Sequence, residues 1–307
     1  MRIAILGSGG VGGFYGAHLS AAGADVHFIA RGPHLAAMRA HGLRIDSFRG
    51  NLTLPQVQAT DDPSTIGPVD LVLFAVKLYD VDSAIRQLGP LLGPSTIVIP
   101  IQNGVESVDR VAAAIGPGHV VGGTTYISAV VSEPGVIRHV ALDSLVFGPL
   151  AGPPPAALVE LKTLAGRAGF TGILSDNILV DIWTKFVRLS VFSGITAAVR
   201  SPIGPIRTNP ALREMMEAAL RESIAVARAR QVALAPTIFN DALKGLNDLP
   251  PHAKASMLED LERGHRLELP WLSGGVVRIG EELGVPTPTH RLFVMLLQLH
   301  AGGKAGE

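Results

Sequence analysis

The chain contains no cysteine in 307 residues, which excludes disulfides, thiolate nucleophiles and cysteine-held metals. It has no excess of either charge. Twenty-six Lys and Arg stand against 26 Asp and Glu, which is not the footprint of a protein that grips nucleic acid or a membrane surface. No apolar run is long enough to span a bilayer. The opening run Ile3 to Leu6 is cut short by Gly7, too early for a signal peptide. The histidines are scattered without H-E-x-x-H or similar spacing, so no metal is expected. No serine lies in G-x-S-x-G, which argues against a hydrolase. What remains as the expectation is a soluble cytoplasmic protein, long enough for two domains.

What is present is concentrated at the start. Gly7-Ser8-Gly9-Gly10-Val11-Gly12 follows a short apolar strand and opens a helical stretch. In this G-x-G-x-x-G pattern the first glycine permits a sharp turn and the second leaves room for a pyrophosphate. The third lets helix and strand pack closely, and the helix N-terminus faces the phosphates. Backbone groups of all six residues are therefore candidate dinucleotide contacts.

Strands at 3–6, 26–30, 71–76 and 96–101 alternate with helices at 11–22, 33–41, 81–92 and 105–115, the βαβ rhythm of a parallel doubly wound sheet. Residues 43–60 read as short strands around a turn at Arg49-Gly50-Asn51. The strands at 120–131, 135–139 and 145–147 have no helices between them and predict an antiparallel extension of the sheet. A helix at 158–168 and a last strand at 172–174 follow. Beyond Asp176 the pattern turns helical, with helices at 181–199, 210–231 and 270–283 and one after Pro288. In the 210–231 helix, Leu212, Met215, Met216, Leu220 and Ile224 form one stripe; in the 270–283 helix, Leu272, Val276, Ile279 and Leu283 point inward and Pro270 occupies the first turn. The tail 300–307 reads as loose. The expected architecture is α/β: a Rossmann-type doubly wound sheet over 1–175, then an all-helical domain over 176–307.

NAD sites usually carry an acid at the end of the second strand. Here that end reads Ile29-Ala30-Arg31-Gly32, with no acid. Arg31 suits a 2′-phosphate, and Lys77, just past the 71–76 strand, opens toward the same cleft, so NADP(H) is favoured. Either residue can also be a solvated loop charge. Asn103, in Gln102-Asn103-Gly104, follows a parallel strand at its carboxyl end. It can hydrogen-bond a carbonyl or a ribose there, or simply serve an Asn-Gly turn. Lys185 sits in the apolar helical stretch Ile182-Trp183-Thr184-Lys185-Phe186-Val187. Desolvation there lowers a lysine's pKa and suits a general acid; a snorkelling surface lysine is the alternative. Glu268, between Leu267 and Leu269, is either a helix cap or a partner for Lys185 or a cofactor hydroxyl.

These pieces in this order resemble the ketopantoate reductase family: Gly7–Gly12, Arg31, Val76-Lys77, Gln102-Asn103-Gly104, Trp183-x-Lys185, Ala255-Ser256-Met257 and Leu267-Glu268-Leu269. The resemblance implies an NADPH-binding Rossmann domain, a helical domain, and hydride transfer to a small-molecule 2-oxo acid held between them. It implies Lys185 as proton donor, Asn103 touching cofactor and substrate, Ser256 on the substrate carboxylate, and Glu268 beside the nicotinamide ribose and the lysine. A homodimer is compatible with the apolar helical half.

Departures accompany the likeness. The family's pantothenate-pathway members carry asparagines four and eight residues after the lysine; here these are Leu189 and Ser193. Ser193 keeps a hydroxyl and stays among the expected substrate contacts. An Asn often found three residues before Ser256 is Ala253. Sites built to bond a hydroxyl discriminate strongly, whereas apolar ones do not. Leu189 thus points to an apolar substrate group, with Arg188 as a candidate carboxylate anchor. Ketopantoate is the expected substrate. Another 2-oxo acid, an imine, or NADPH binding without turnover are the alternatives.

Overall fold

The computed structural model describes residues 1–304. The chain divides into two compact units, Met1–Ile178 and Leu179–Glu307.

The first unit contains two sheets. Its strands are β1 (Arg2–Leu6), β2 (Asp25–Ile29), β3 (Leu43–Ser47), β4 (Leu52–Leu54), β5 (Gln58–Thr60), β6 (Leu71–Phe74), β7 (Ile97–Pro100), β8 (Gly122–Glu133), β9 (Val136–Gly148) and β10 (Gly172–Leu174). The helices are α1 (Gly10–Ala21), α2 (Gly32–His41), α3 (Val81–Ile85), α4 (Ser107–Ile115) and α5 (Ala156–Ala168). One sheet has the order β5-β2-β1-β6-β7, and all its pairings are parallel. With the β3–β4 hairpin set aside, this is the 3-2-1-4-5 order of a doubly wound nucleotide-binding sheet. Every residue of β6 and β7 is buried, as expected for strands covered on both faces.

The strands predicted as an antiparallel extension do pair antiparallel, β8 with β9, but they belong to a second sheet, β10-β9-β3-β4, and do not extend the first. The long β8–β9 hairpin keeps its pairing through register shifts near Ser128, which absorb the break the sequence shows at 140–144, and the break at 132–135 holds the hairpin turn. α1 packs against strands of both sheets. That explains why it is buried nearly all round, from Phe14, Tyr15 and Ala17 to Leu19, rather than along one stripe.

The helix predicted over 81–92 stops at Ile85, and Gly89–Leu91 form a separate 3-10 turn. Gly89-Pro90 has poor helix propensity and lacks an N–H at Pro90, so the helix cannot run on.

The second unit is helical: α6 (Ile178–Val199, entering from the first unit's last residue), α7 (Ile203–Thr208), α8 (Pro210–Ala229), α9 (Ile238–Asn247), α10 (Ser256–Arg263), α11 (Ser273–Leu283) and α12 (Pro288–Leu297). The stripe on α8 is inward at Met216, Leu220 and Ile224. Two expectations fail on α11. The helix begins at Ser273, so Pro270 precedes it, and Leu283 is exposed because the helix ends there at left-handed Gly284. The tail is not loose through residue 304. Leu267 N–H bonds Ala301 O and Lys304 N–H bonds Gly264 O, at 3.0 and 2.8 Å. Residues 305–307 lie outside the described residues. No helix among the described residues is long and apolar enough to cross a membrane.

Candidate active site

β1 delivers the chain to the glycine turn from a fully buried position. Gly7 has φ +100°, and a Cβ there would lie 2.6 Å from the Val76 nitrogen, so only glycine fits. Its N–H and that of Ser8 both bond the Ile29 carbonyl, at 3.3 and 3.0 Å, tying the turn to the end of β2. A Cβ on Gly12 would run into the Gly7 carbonyl and lie 2.9 Å from the Ala75 Cβ, so α1 sits close on β1 and the end of β6. Gly9 differs from both. It caps α1 without a side-chain bond, and a Cβ added to it would meet nothing within 4 Å.

The open side of the turn is therefore at Gly9. There the first-turn N–H groups of Gly10, Val11 and Gly12 lack intrahelical acceptors and face outward with the positive dipole end. Such a cradle fits a pyrophosphate. Ser8 is buried and its hydroxyl donates to Ile5 O at 3.2 Å, so its side chain serves the turn and leaves ligand contact to the backbone.

The segments after β2 and β6 flank this turn, and the one after β7 leaves the same carboxyl end of the parallel sheet. Arg31, exposed at the N-cap position of α2, donates from Nη2 to Asp80 Oδ2 at 2.6 Å. Lys77 is exposed and opens the 3-10 turn Leu78–Asp80. Asn103 is half-buried beyond β7 and precedes Gly104 at φ +85°. Its neighbour Gln102 is buried and donates to Phe74 O at 2.5 Å, stitching the ends of β6 and β7.

His34, unremarked in the sequence, is a clamp. Its Nδ1 accepts the Gly135 N–H at 3.0 Å, so the proton sits on Nε2, which donates to Ser8 O at 2.9 Å. Burial holds its pKa below the ordinary value against the opposing effect of the Ser8 bond. His34 thereby joins the first turn of α2, the glycine turn and the β8–β9 hairpin. Neither His34 nor Asp80 stands out in the sequence, because each acquires its role from a partner far along the chain.

In the second unit α6 is anchored by Trp183 and Phe186, whose buried rings meet edge to face at 5.5 Å, and by Val187, Val191 and Ile195. Lys185 lies on the less buried side of this helix with Arg188 and Leu189, all half-buried. Glu268 is only 6 % exposed and is flanked by buried Leu267 and Leu269. Burial brings the Lys185 pKa down to about 8. The negative charge of Glu268 works against that fall, and the positive charge of Arg188 adds to it. The three side chains thus form one electrostatic group, although Glu268 comes from a distant segment. Glu268 does not cap α11, whose cap residue is Leu272 with no side-chain bond.

The guanidinium of Arg188 lies over α9, where a Cβ on Gly245 would come within 2.7 Å of its Nη1. Ser193 has no exposed surface and its hydroxyl has no hydrogen-bond partner among the described residues. Ser256 is exposed as the first residue of α10, and Ala253 is half-buried. Behind α6 runs a buried polar chain. Ser190 meets Ser223 at 3.2 Å, and Ser223 meets His290 Nε2 at 2.8 Å. No group of His, Asp and Glu able to hold a metal occurs among the described residues.

Residues 3–152 match the family model described as Ketopantoate reductase PanE/ApbA, and residues 177–301 match its C-terminal counterpart. The chain belongs to the ketopantoate reductase family. It is 32 % identical to a 2-dehydropantoate 2-reductase of Mesorhizobium japonicum, with 94 % of each chain covered. It is 28 % identical to the Bacillus subtilis oxidoreductase YkpB, over 99 % of this chain and all of that one. Among solved structures, a PanE/ApbA family ketopantoate reductase from Ralstonia eutropha superposes with a TM-score of 0.90 at 32 % identity, covering 98 % of both chains. The resemblance read from seven short motifs is thus confirmed as ketopantoate reductase family membership.

Proposed function

We propose that this protein is an NADPH-dependent 2-oxo acid reductase that converts ketopantoate to pantoate. The 2-dehydropantoate 2-reductases among its relatives support the substrate. Arg31, at a strand end that carries no acid, supports the phosphorylated cofactor. The observation that carries the reading is Lys185, whose burial beside Glu268 leaves it able to release a proton near neutral pH.

The glycine turn would hold the pyrophosphate and Arg31 and Lys77 the 2′-phosphate; bound NADPH supplies the hydride. The ammonium of Lys185 then gives its proton to the oxygen developing at C2, and Glu268 stabilises that ammonium before transfer. Asn103 and Ser256 orient the 2-oxo acid. The test is NADPH absorbance across a panel of 2-oxo acids, with and without amines. Oxidation of NADPH by ketopantoate supports the reading; none with any 2-oxo acid removes it.

A second reading keeps the chemistry and changes the substrate. Leu189 and Ser193 stand where the resemblance expects two asparagines, and Ser193 is fully enclosed. A 2-oxo acid with an apolar group in place of ketopantoate's hydroxyl fits those positions better. The same panel separates the two by their kcat/KM.

A further inference from the structure

The end of β2 carries no acid of its own, which favours a phosphorylated cofactor. The fold supplies one from elsewhere. In the parallel sheet β2 and β6 flank β1, so the loops leaving their carboxyl ends border the glycine turn on either side. Arg31 leaves β2 and Asp80 follows β6, and their side chains meet at 2.6 Å.

The two partners are held unequally. Asp80 sits on a braced turn: its N–H bonds Lys77 O at 2.8 Å, its carbonyl accepts the Ser83 hydroxyl at 2.8 Å, and its side chain is 25 % exposed. The Arg31 side chain is 78 % exposed. The carboxylate is therefore the fixed member and the guanidinium the one that can swing. The pair lies where an adenosine 2′-substituent is read in doubly wound sheets, by an acid for a hydroxyl and by an arginine for a phosphate.

We propose that Arg31 and Asp80 together form a cofactor selector that lets this protein bind both the phosphorylated and the unphosphorylated nicotinamide dinucleotide. This rests on the reductase reading above and deepens it. A 2′-phosphate draws Arg31 away and is repelled by Asp80. A 2′-hydroxyl donates to Asp80 and accepts from Arg31, leaving the pair intact. Asp80 thus lowers the preference that Arg31 alone would give.

The test is calorimetric titration of the substrate-free full-length protein with NADP+ and with NAD+, and with adenosine 2′-monophosphate against adenosine as minimal probes. Wild-type protein is expected to bind both dinucleotides, NADP+ more tightly. Asp80→Asn removes the charge and should tighten NADP+ by about fivefold, the scale of one exposed charge contact. Asp80→Ala also removes the acceptor and should weaken NAD+ by a similar factor. Arg31→Ala should weaken NADP+ and adenosine 2′-monophosphate by about tenfold or more and NAD+ by less, because the 2′-hydroxyl loses one donor and keeps Asp80.

The ratio of the two dissociation constants is read within one preparation, so partial misfolding cancels. An unchanged or lowered preference for NADP+ in Asp80→Asn overturns the selector alone. Binding of neither dinucleotide by the wild type overturns the selector and the reductase reading together.

Discussion

The glycine turn of the first unit and the lysine group of the second are built on opposite principles. The turn is made of backbone: three glycines, a helix end and a strand end, all within one short stretch of chain. The lysine group is made of ionisable side chains gathered from α6 and the segment before α11. In the first, a residue matters for the atoms it lacks; in the second, for the charge it keeps away from water. Steric sites are hence broken by adding a methyl group, and electrostatic ones by removing a charge.

The contrast is sharpest for Lys185→Ala. Turnover is expected to fall by about 10²- to 10⁴-fold, the usual contribution of a positioned acid. NADPH affinity, measured by fluorescence titration, should stay within about twofold, because the cradle belongs to the other unit. Equal losses in both would mean the two groups do not act separately.

Within the turn, Gly7→Ala should cost about 3 kcal/mol or more in chemical denaturation, since it meets both a positive φ and the Val76 nitrogen. Gly9→Ala should leave stability within about 0.5 kcal/mol, having open space around it, yet weaken dinucleotide binding. Should both variants behave alike, the assignment of Gly9 as the open side is wrong.

Away from either group, a buried histidine ties stability to pH. Burial lowers the His290 pKa from 6.5 to about 4, so the native histidine is neutral. The unfolded chain takes up the proton first as pH falls. Stability should therefore be full above pH 6.5, decline between about 6.5 and 4, and level off below, losing as much as about 3 kcal/mol. Denaturation midpoints of wild type and His290→Gln across that range measure it, and the variant should show a shallower slope.

The smallest expected effect is a shift in a pH profile. In the proposed mechanism the proton comes from Lys185, so kcat/KM should be flat below about pH 8 and fall above it. Removing the like charge in Arg188→Ala should move that fall upward, by less than about one pH unit at a half-buried position. A downward move would contradict the grouping of Arg188 with Lys185.

The fold is legible in the sequence where a pattern is local and continuous. β1, α1, β2 and α2 emerge within a residue or two because apolar runs, Gly23 and Gly42 mark their ends. It is not legible where a partner decides the outcome. Strands 120–147 looked like an extension of the parallel sheet, but β3 pairs with β9 and draws them into a second sheet. The tail looked loose because its hydrogen-bond partners, Gly264 and Leu267, lie far back in the chain.

By itself the sequence determined the glycine turn, the alternation of strands and helices, the change to an all-helical half and the family, because each is encoded in neighbouring residues or in their order. Only the tertiary structure decided that Arg31 has an acid beside it, that His34 locks the turn in one tautomer, and that Lys185 is desolvated next to Glu268. Those properties depend on distance and exclusion of water between residues remote in the chain, and a linear order of residues carries neither.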